Sequence, residues 1–198
     1  MKPLIIYISI VLLLGSRAYA TEDSAASRPP RLGWVNLGIG PCSCSAWSAV
    51  SGMISYSTTA KGSGKILTFR YSRADEWEGD IIGWGDPRPL ESIWDLGVLY
   101  GAITKRRFGF ASVVAGLTLV GGVKRGAFIG SEGGWFGHDD YEARHFTTVG
   151  IPIEAQAFWT PPSSFGLSTG LGLELYANLN PVRSYKGVNF CLQFGKVR

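Results

Sequence analysis

FGLSTGLGLELYANLN, residues Phe165–Asn180, alternates strictly. One parity holds Phe165, Leu167, Thr169, Leu171, Leu173, Leu175, Ala177 and Leu179, and the other holds Gly166, Ser168, Gly170, Gly172, Glu174, Tyr176, Asn178 and Asn180. Successive side chains of an extended strand point to opposite faces, so this segment is a strand with one greasy face and one small or polar face.

The same split lies upstream in Thr147–Trp159, where Val149, Ile151, Ile153, Ala155, Ala157 and Trp159 oppose Gly150, Pro152, Glu154, Gln156 and Phe158. Downstream, Val188–Gly195 sets Val188, Phe190, Leu192 and Phe194 against Asn189, Cys191, Gln193 and Gly195. Ile66–Ser72 places Leu67, Phe69 and Tyr71 opposite Thr68, Arg70 and Ser72, and weaker alternation covers Gly33–Gly40, Ala46–Thr58, Leu96–Thr104 and Phe108–Val120. That makes eight strands. Pro152 removes a ladder hydrogen bond, which predicts a bulge there.

Such strands suit a soluble barrel or sandwich with its apolar face inside, or a membrane barrel with that face outside. The connections decide. Lys105–Arg107 and Pro161–Ser164 are tight, whereas Glu76–Asp95 and Gly121–His145 are long. With an even strand count, both long connections fall at one end, and the short ones, including Thr59–Lys65, fall at the other. Short turns on one side and long loops on the other are the pattern of an outer-membrane barrel. The expected fold is therefore all-β, an eight-stranded antiparallel up-and-down transmembrane β-barrel over residues 32–198.

The amino terminus has its own logic. Met1-Lys2 is a short basic start, Leu4–Leu14 is an apolar core, and Ala18-Tyr19-Ala20 supplies small residues in a cleavage register. The apolar core falls short of the ~20 residues of a spanning helix, so residues 1–20 read as a cleaved signal peptide and Thr21 as the mature start. Residues 21–31 (TEDSAASRPPR) are polar and aperiodic, a flexible leader. Loss of Lys2 and Arg17 with no acid lowers the formal charge from +4 to +2, which gives no basis for nucleic-acid binding. Cys42, Cys44 and Cys191 are an odd set in an oxidising compartment and make no disulfide scaffold.

Signal peptide, eight alternating strands, long outer loops and a last strand YKGVNFCLQFGKVR (Tyr185–Arg198) resemble the small OmpA/OmpX-type outer-membrane barrels. The resemblance implies outer-membrane localisation, contact with outer-membrane lipid, and delivery by the barrel assembly machinery. It also marks a departure, since many such barrels end on an aromatic residue and here Phe194 lies four residues before the end.

Eight strands enclose a lumen just wide enough for side chains to fill. Parity places Arg70, Glu154, Gln156, Glu174, Asn178, Asn189 and Gln193 inside, where a buried charge is costly unless paired. Arg70 is thus expected to pair with Glu154 or Glu174 in a structural network rather than a gated ion path. His138 and His145 lie among carboxylates in HDDYEARH but match no metal-ligand spacing. A lipid A deacylase-like hydrolase would carry a His-x-Ser pair; here His145-Phe146-Thr147 offers Thr, and Glu154 lies roughly 23 Å along the strand on the opposite face. Gly121-Gly122 and Gly133-Gly134 read as loop glycines without a phosphate-binding context, so no cofactor is implied. Trp77, Trp84, Trp94 and Trp135 sit in or beside the long loops, where they would anchor the headgroup boundary or contact a partner. The function expected is non-enzymatic: envelope structure or surface interaction through the outer loops. The alternatives are a lipid-modifying barrel enzyme and a soluble secreted barrel with an apolar ligand.

Overall fold

Alternation of this kind needs a partner on both edges of every strand, and closure supplies one without leaving a free edge. The computed structural model describes residues 31–44, 48–60, 62–76, 87–131, 138–161 and 168–197. Within them run β1 (Arg31–Cys44), β2 (Ser48–Ala60), β3 (Lys65–Glu76), β4 (Ser92–Arg106), β5 (Gly109–Ser131), β6 (Asp139–Trp159), β7 (Ser168–Leu179) and β8 (Tyr185–Gly195). Each pairs antiparallel with its neighbour in sequence, and β8 pairs back onto β1 to close the barrel. Residues 1–30, Phe165–Leu167, Trp77, Trp84 and Trp135 lie outside the described residues.

The greasy parity faces out. Leu117, Val149, Leu171, Leu175 and Phe190 are all more than half exposed, while the alternate residues Glu154, Glu174, Asn178 and Gln193 are fully buried. An outward apolar surface of this extent requires an apolar surrounding, and the barrel is a transmembrane one. Among the described residues no helix is long and apolar enough to cross a membrane; the strands cross it.

Three expectations change. Arg31, read as the end of the leader, is the first residue of β1 and pairs with Ala60. The connection read as Gly121–His145 is mostly strand, because β5 continues to Ser131 and β6 starts at Asp139. β5 outruns β4 after the pair Ser92↔Val123, and β6 pairs with β7 only from Ile151. Residues 145–150 still pair with the part of β5 that β4 holds, so residues 124–131 and 139–144 form a two-stranded ribbon standing clear of the barrel. Alternation fades there because neither face of a ribbon outside the apolar layer has to be greasy. Gly121 and Gly122 are accordingly strand residues and not loop glycines.

The bulge expected at Pro152 is absent. Pro152 stays in register with Asn178, and β5–β6 holds one register from Gly109↔Trp159 to Arg125↔Ala143, interrupted only opposite Pro152 and its neighbour. Pro41 in β1 interrupts the β8 ladder in the same way, between Ile39↔Phe190 and Cys42↔Gly187. A missing N–H costs a rung without displacing the strand. The register shifts occur instead in the ribbon, between Arg125 and Phe128 and between Phe128 and Gly130.

Candidate functional site: a polar lumen between two apolar plugs

The lumen is filled in layers. At the short-turn end Trp34, Ile66, Leu99, Ile103, Phe110 and Phe158 form an apolar plug, with Phe110 stacked on Phe158 at 4.9 Å between ring centroids. Toward the long-loop end Cys42, Cys44, Ile93, Val120, Tyr176 and Tyr185 form a second, with Phe146 packed against it. Apolar residues on the inner face were the part of the lumen that parity alone left unassigned. They signal themselves as exceptions to the small-or-polar row, as Phe158 does.

Between the plugs lies the ionic layer. Arg70, from β3, donates Nε to Asp95 Oδ1 at 3.2 Å and Nη2 to Asp95 Oδ2 at 2.6 Å, and its Nη1 donates to Glu154 Oε1 across the lumen. The two-pronged contact with Asp95 is the geometry in which guanidinium and carboxylate match best. Gln156 Nε2 donates to Glu154 Oε2 at 3.2 Å and to Glu174 Oε2 at 3.1 Å, and Asn189 Nδ2 reaches Glu174 Oε1 at 3.4 Å. Asn178 Nδ2 donates to Thr118 Oγ1 at 2.9 Å and to Asp95 Oδ2 at 3.3 Å, and the Tyr185 hydroxyl also donates to Asp95. Gly150 makes room for this, because a Cβ there would stand 2.2 Å from Asn178 Oδ1. Ser51, between Tyr176 and Asn189, carries the hydrogen bonds upward at 2.7 and 2.8 Å.

Six of the seven lumen residues read from sequence thus meet in one network. Gln193 stands apart and reaches Ser168 O at 3.5 Å. Glu174 is held by amides, not by Arg70. Asp95, the principal partner of Arg70, is not among the residues that parity places inside, because the alternation of its strand is clear only from Leu96. Continuing that alternation one residue upstream, with Trp94, Leu96 and Val98 on one parity, puts Asp95 inside.

A second ionic cluster closes the long-loop mouth. Arg125 donates its N–H to Glu91 Oε1 at 2.7 Å, its Nη2 to Glu76 Oε1 and its Nη1 to Pro87 O at 3.0 Å. Arg183, in the β7–β8 turn, pairs with Glu91 Oε2. Arg88 bonds the β6 edge on both sides, through Asp139 O at 2.8 Å and Tyr141 N at 2.7 Å. The last stretch of the β3–β4 connection is thereby laid against the ribbon.

The remaining candidates are scattered. His138 Nε2 lies 3.2 Å from Asp140 Oδ1, while His145 is exposed in β6, roughly 23 Å further along an extended strand. The sequence pattern puts both histidines in a loop, whereas His145 is a residue of strand β6, paired with Val123 at the base of the ribbon. Among the described residues no three His, Cys, Asp or Glu side chains converge as metal ligands. His145 and Thr147 lie on the outward parity and Glu154 on the inward one, and Glu142 is engaged by Arg144 Nε at 2.9 Å. Trp94 lies outward over Gly121, where a Cβ would meet its ring at 2.5 Å, so the indole rests flat on the wall near the long-loop end.

The fold defines a class: the small eight-stranded barrels of outer membranes. Solved structures that share it include these two. Neisserial surface protein A superposes with a TM-score of 0.54 at 8% identity, covering 86% of this chain and 99% of that one. Ail, the attachment invasion locus protein of Yersinia pestis, gives a TM-score of 0.53 at 4% identity, covering 85% and 99%. At such identities the likeness is one of fold alone. No protein-family model and no curated protein sequence matches the chain.

Proposed function

We propose that the chain is an exported, non-enzymatic integral protein of a bacterial outer membrane, with its short turns periplasmic and its β5–β6 ribbon offered outside as a contact surface. The ribbon is the observation that carries this reading. It extends roughly 25 Å past the β4–β5 ladder and presents Phe128 and Ile129, 58% and 70% exposed, beyond the membrane-crossing strands. Exposed apolar side chains outside the lipid layer are the usual anchors of protein contacts. The filled lumen favours a structural role inside and an interactive one outside. Residues 1–20 act as the signal peptide and Thr21 begins the mature protein. Phe194 serves as the final outward aromatic for the assembly machinery, since β8 ends at Gly195 and the tail turns inward to bury Val197.

Fractionation tests the location: the protein should pellet with outer membranes, resist urea extraction and migrate faster unheated than boiled. A photo-crosslinking residue at position 129 tests the contact. Intact cells should yield a discrete adduct that position 117, facing lipid, does not; only lipid adducts at both would leave the ribbon without a partner.

A further inference from the structure

The outward wall is not uniform. Over most of it large side chains such as Leu171, Leu173, Leu192 and Phe190 stand off the sheet. Where β6, β7, β8 and β1 approach the long-loop end, the wall recedes into a shallow groove of about 690 Å³. Its floor is Ala155, Ala177 and Val188, all half-buried, and Leu175 and Ile153 rise beside it. Small floor residues leave beside the wall the space that a leucine at the same positions would fill.

One cation stands at the head of this groove. Lys186 is exposed and faces outward between Ala177 of β7 and Ser43 of β1. Strand β8 is 11 residues long, which matches the ~9–11 residues that cross an apolar layer at a tilt. Its second residue therefore stands at the edge of that layer on the long-loop side. Three other basic residues at this end, Arg73, Arg144 and Arg183, have carboxylate partners in Asp75, Glu142 and Glu91. Among the described residues no carboxylate pairs with Lys186.

We propose that the groove seats a phosphorylated lipid of the outer leaflet, one acyl chain lying over Ala155, Ala177 and Val188 and the phosphate resting on Lys186. An apolar channel headed by one uncompensated ammonium matches an amphiphile with an apolar tail and an anionic head. A lysine at an interface keeps its charge in water while its stem follows the apolar wall. The inference rests on the reading above that the long-loop end faces outward.

The test uses the whole mature protein, reconstituted in phosphatidylcholine vesicles containing either lipid A or dephosphorylated lipid A, released into detergent and weighed intact by native mass spectrometry. Folding is checked for every variant by heat-modifiable mobility. The wild-type barrel should retain the phosphorylated lipid, and Lys186→Gln should reduce retention on the order of tenfold or more, the loss expected for one charge-assisted hydrogen bond. Ala177→Leu, which fills the groove, should abolish retention with Lys186 intact. Equal retention of the two lipids, or retention unchanged in either folded variant, would overturn the proposal. So would a dimer lost in Ala177→Leu with lipid retention unaffected, since the occupant would then be a second copy. A chain that failed to enter vesicles or shift on heating would instead refute the membrane reading itself.

Discussion

Asp95 shows how much a single position can decide. With Arg70 fully buried, its two carboxylate partners are what make the cation tolerable in the lumen. Breaking a buried pair leaves an uncompensated charge, so Arg70→Ala should cost roughly 3–5 kcal/mol. Urea unfolding in lipid vesicles should show that loss, and Asp95→Ala or Glu154→Ala in the same chain should restore part of it. Additive losses would mean that the contacts carry no coupling. On the outer face, Leu173→Arg should cost ~2–4 kcal/mol near the midplane, read from the same unfolding curves. Parity alone makes Gly172 a tolerant lumen position, but there a Cβ would meet Phe158 at 2.5 Å and Ala157 O at 2.6 Å. Gly172→Ser should therefore disturb the lower plug and lower the urea midpoint, rather than pass unnoticed.

Strands that cross the membrane announce themselves, and strands that leave it do not. Leu171, Leu173 and Leu175 have lipid on one side and a filled lumen on the other, so their row could be read directly. Residues 124–131 and 139–144 lie beyond the closed wall and are held by backbone pairing, to which side-chain pattern is blind. Asp95 escapes the pattern for a different reason: it lies inside the closed wall, but the alternation of β4 is clear only from Leu96 onward. The mouth cluster of Glu76, Glu91, Arg125 and Arg183 is equally illegible, because a strand end, two connections and a ribbon meet only in space. Arg125 is its hub. Arg125→Ala should release Glu76, Glu91 and the carbonyl of Pro87 together. The amide hydrogens of Arg88, Leu90 and Glu91 should then exchange faster, while the barrel keeps its heat-modifiable mobility. An unchanged exchange rate would show that the ribbon docks without that clamp.

For the whole molecule, the order of layers matters more than any one of them. An ion entering from either end meets an apolar plug before it reaches Arg70 and its carboxylates, and above the upper plug lies the ion-paired mouth. Purified protein in planar bilayers should show no unitary conductance above background. Phe158→Ala together with Phe110→Ala, which opens the lower plug, should leave that baseline unchanged because the upper one remains. Regular channel steps from the unaltered protein would refute the sealed lumen.

The ionic layer has a consequence for how the chain reaches its final state. Its charged members come from β3, β4, β6 and β7, with Arg70 and Glu154 separated by 84 positions, so no hairpin made early contains a complete set of partners. Until the ends of the sheet meet, the guanidinium and three carboxylates face an open concave surface that must stay wet or remain in the hands of an assembly factor. Sealing the first strand to the last converts them at once from solvated charges to mutually satisfied ones. The last seam and the innermost contacts thus become a single event: a sheet one strand short is penalised in its interior as well as at its edges, and the membrane retains only rings that have fully shut.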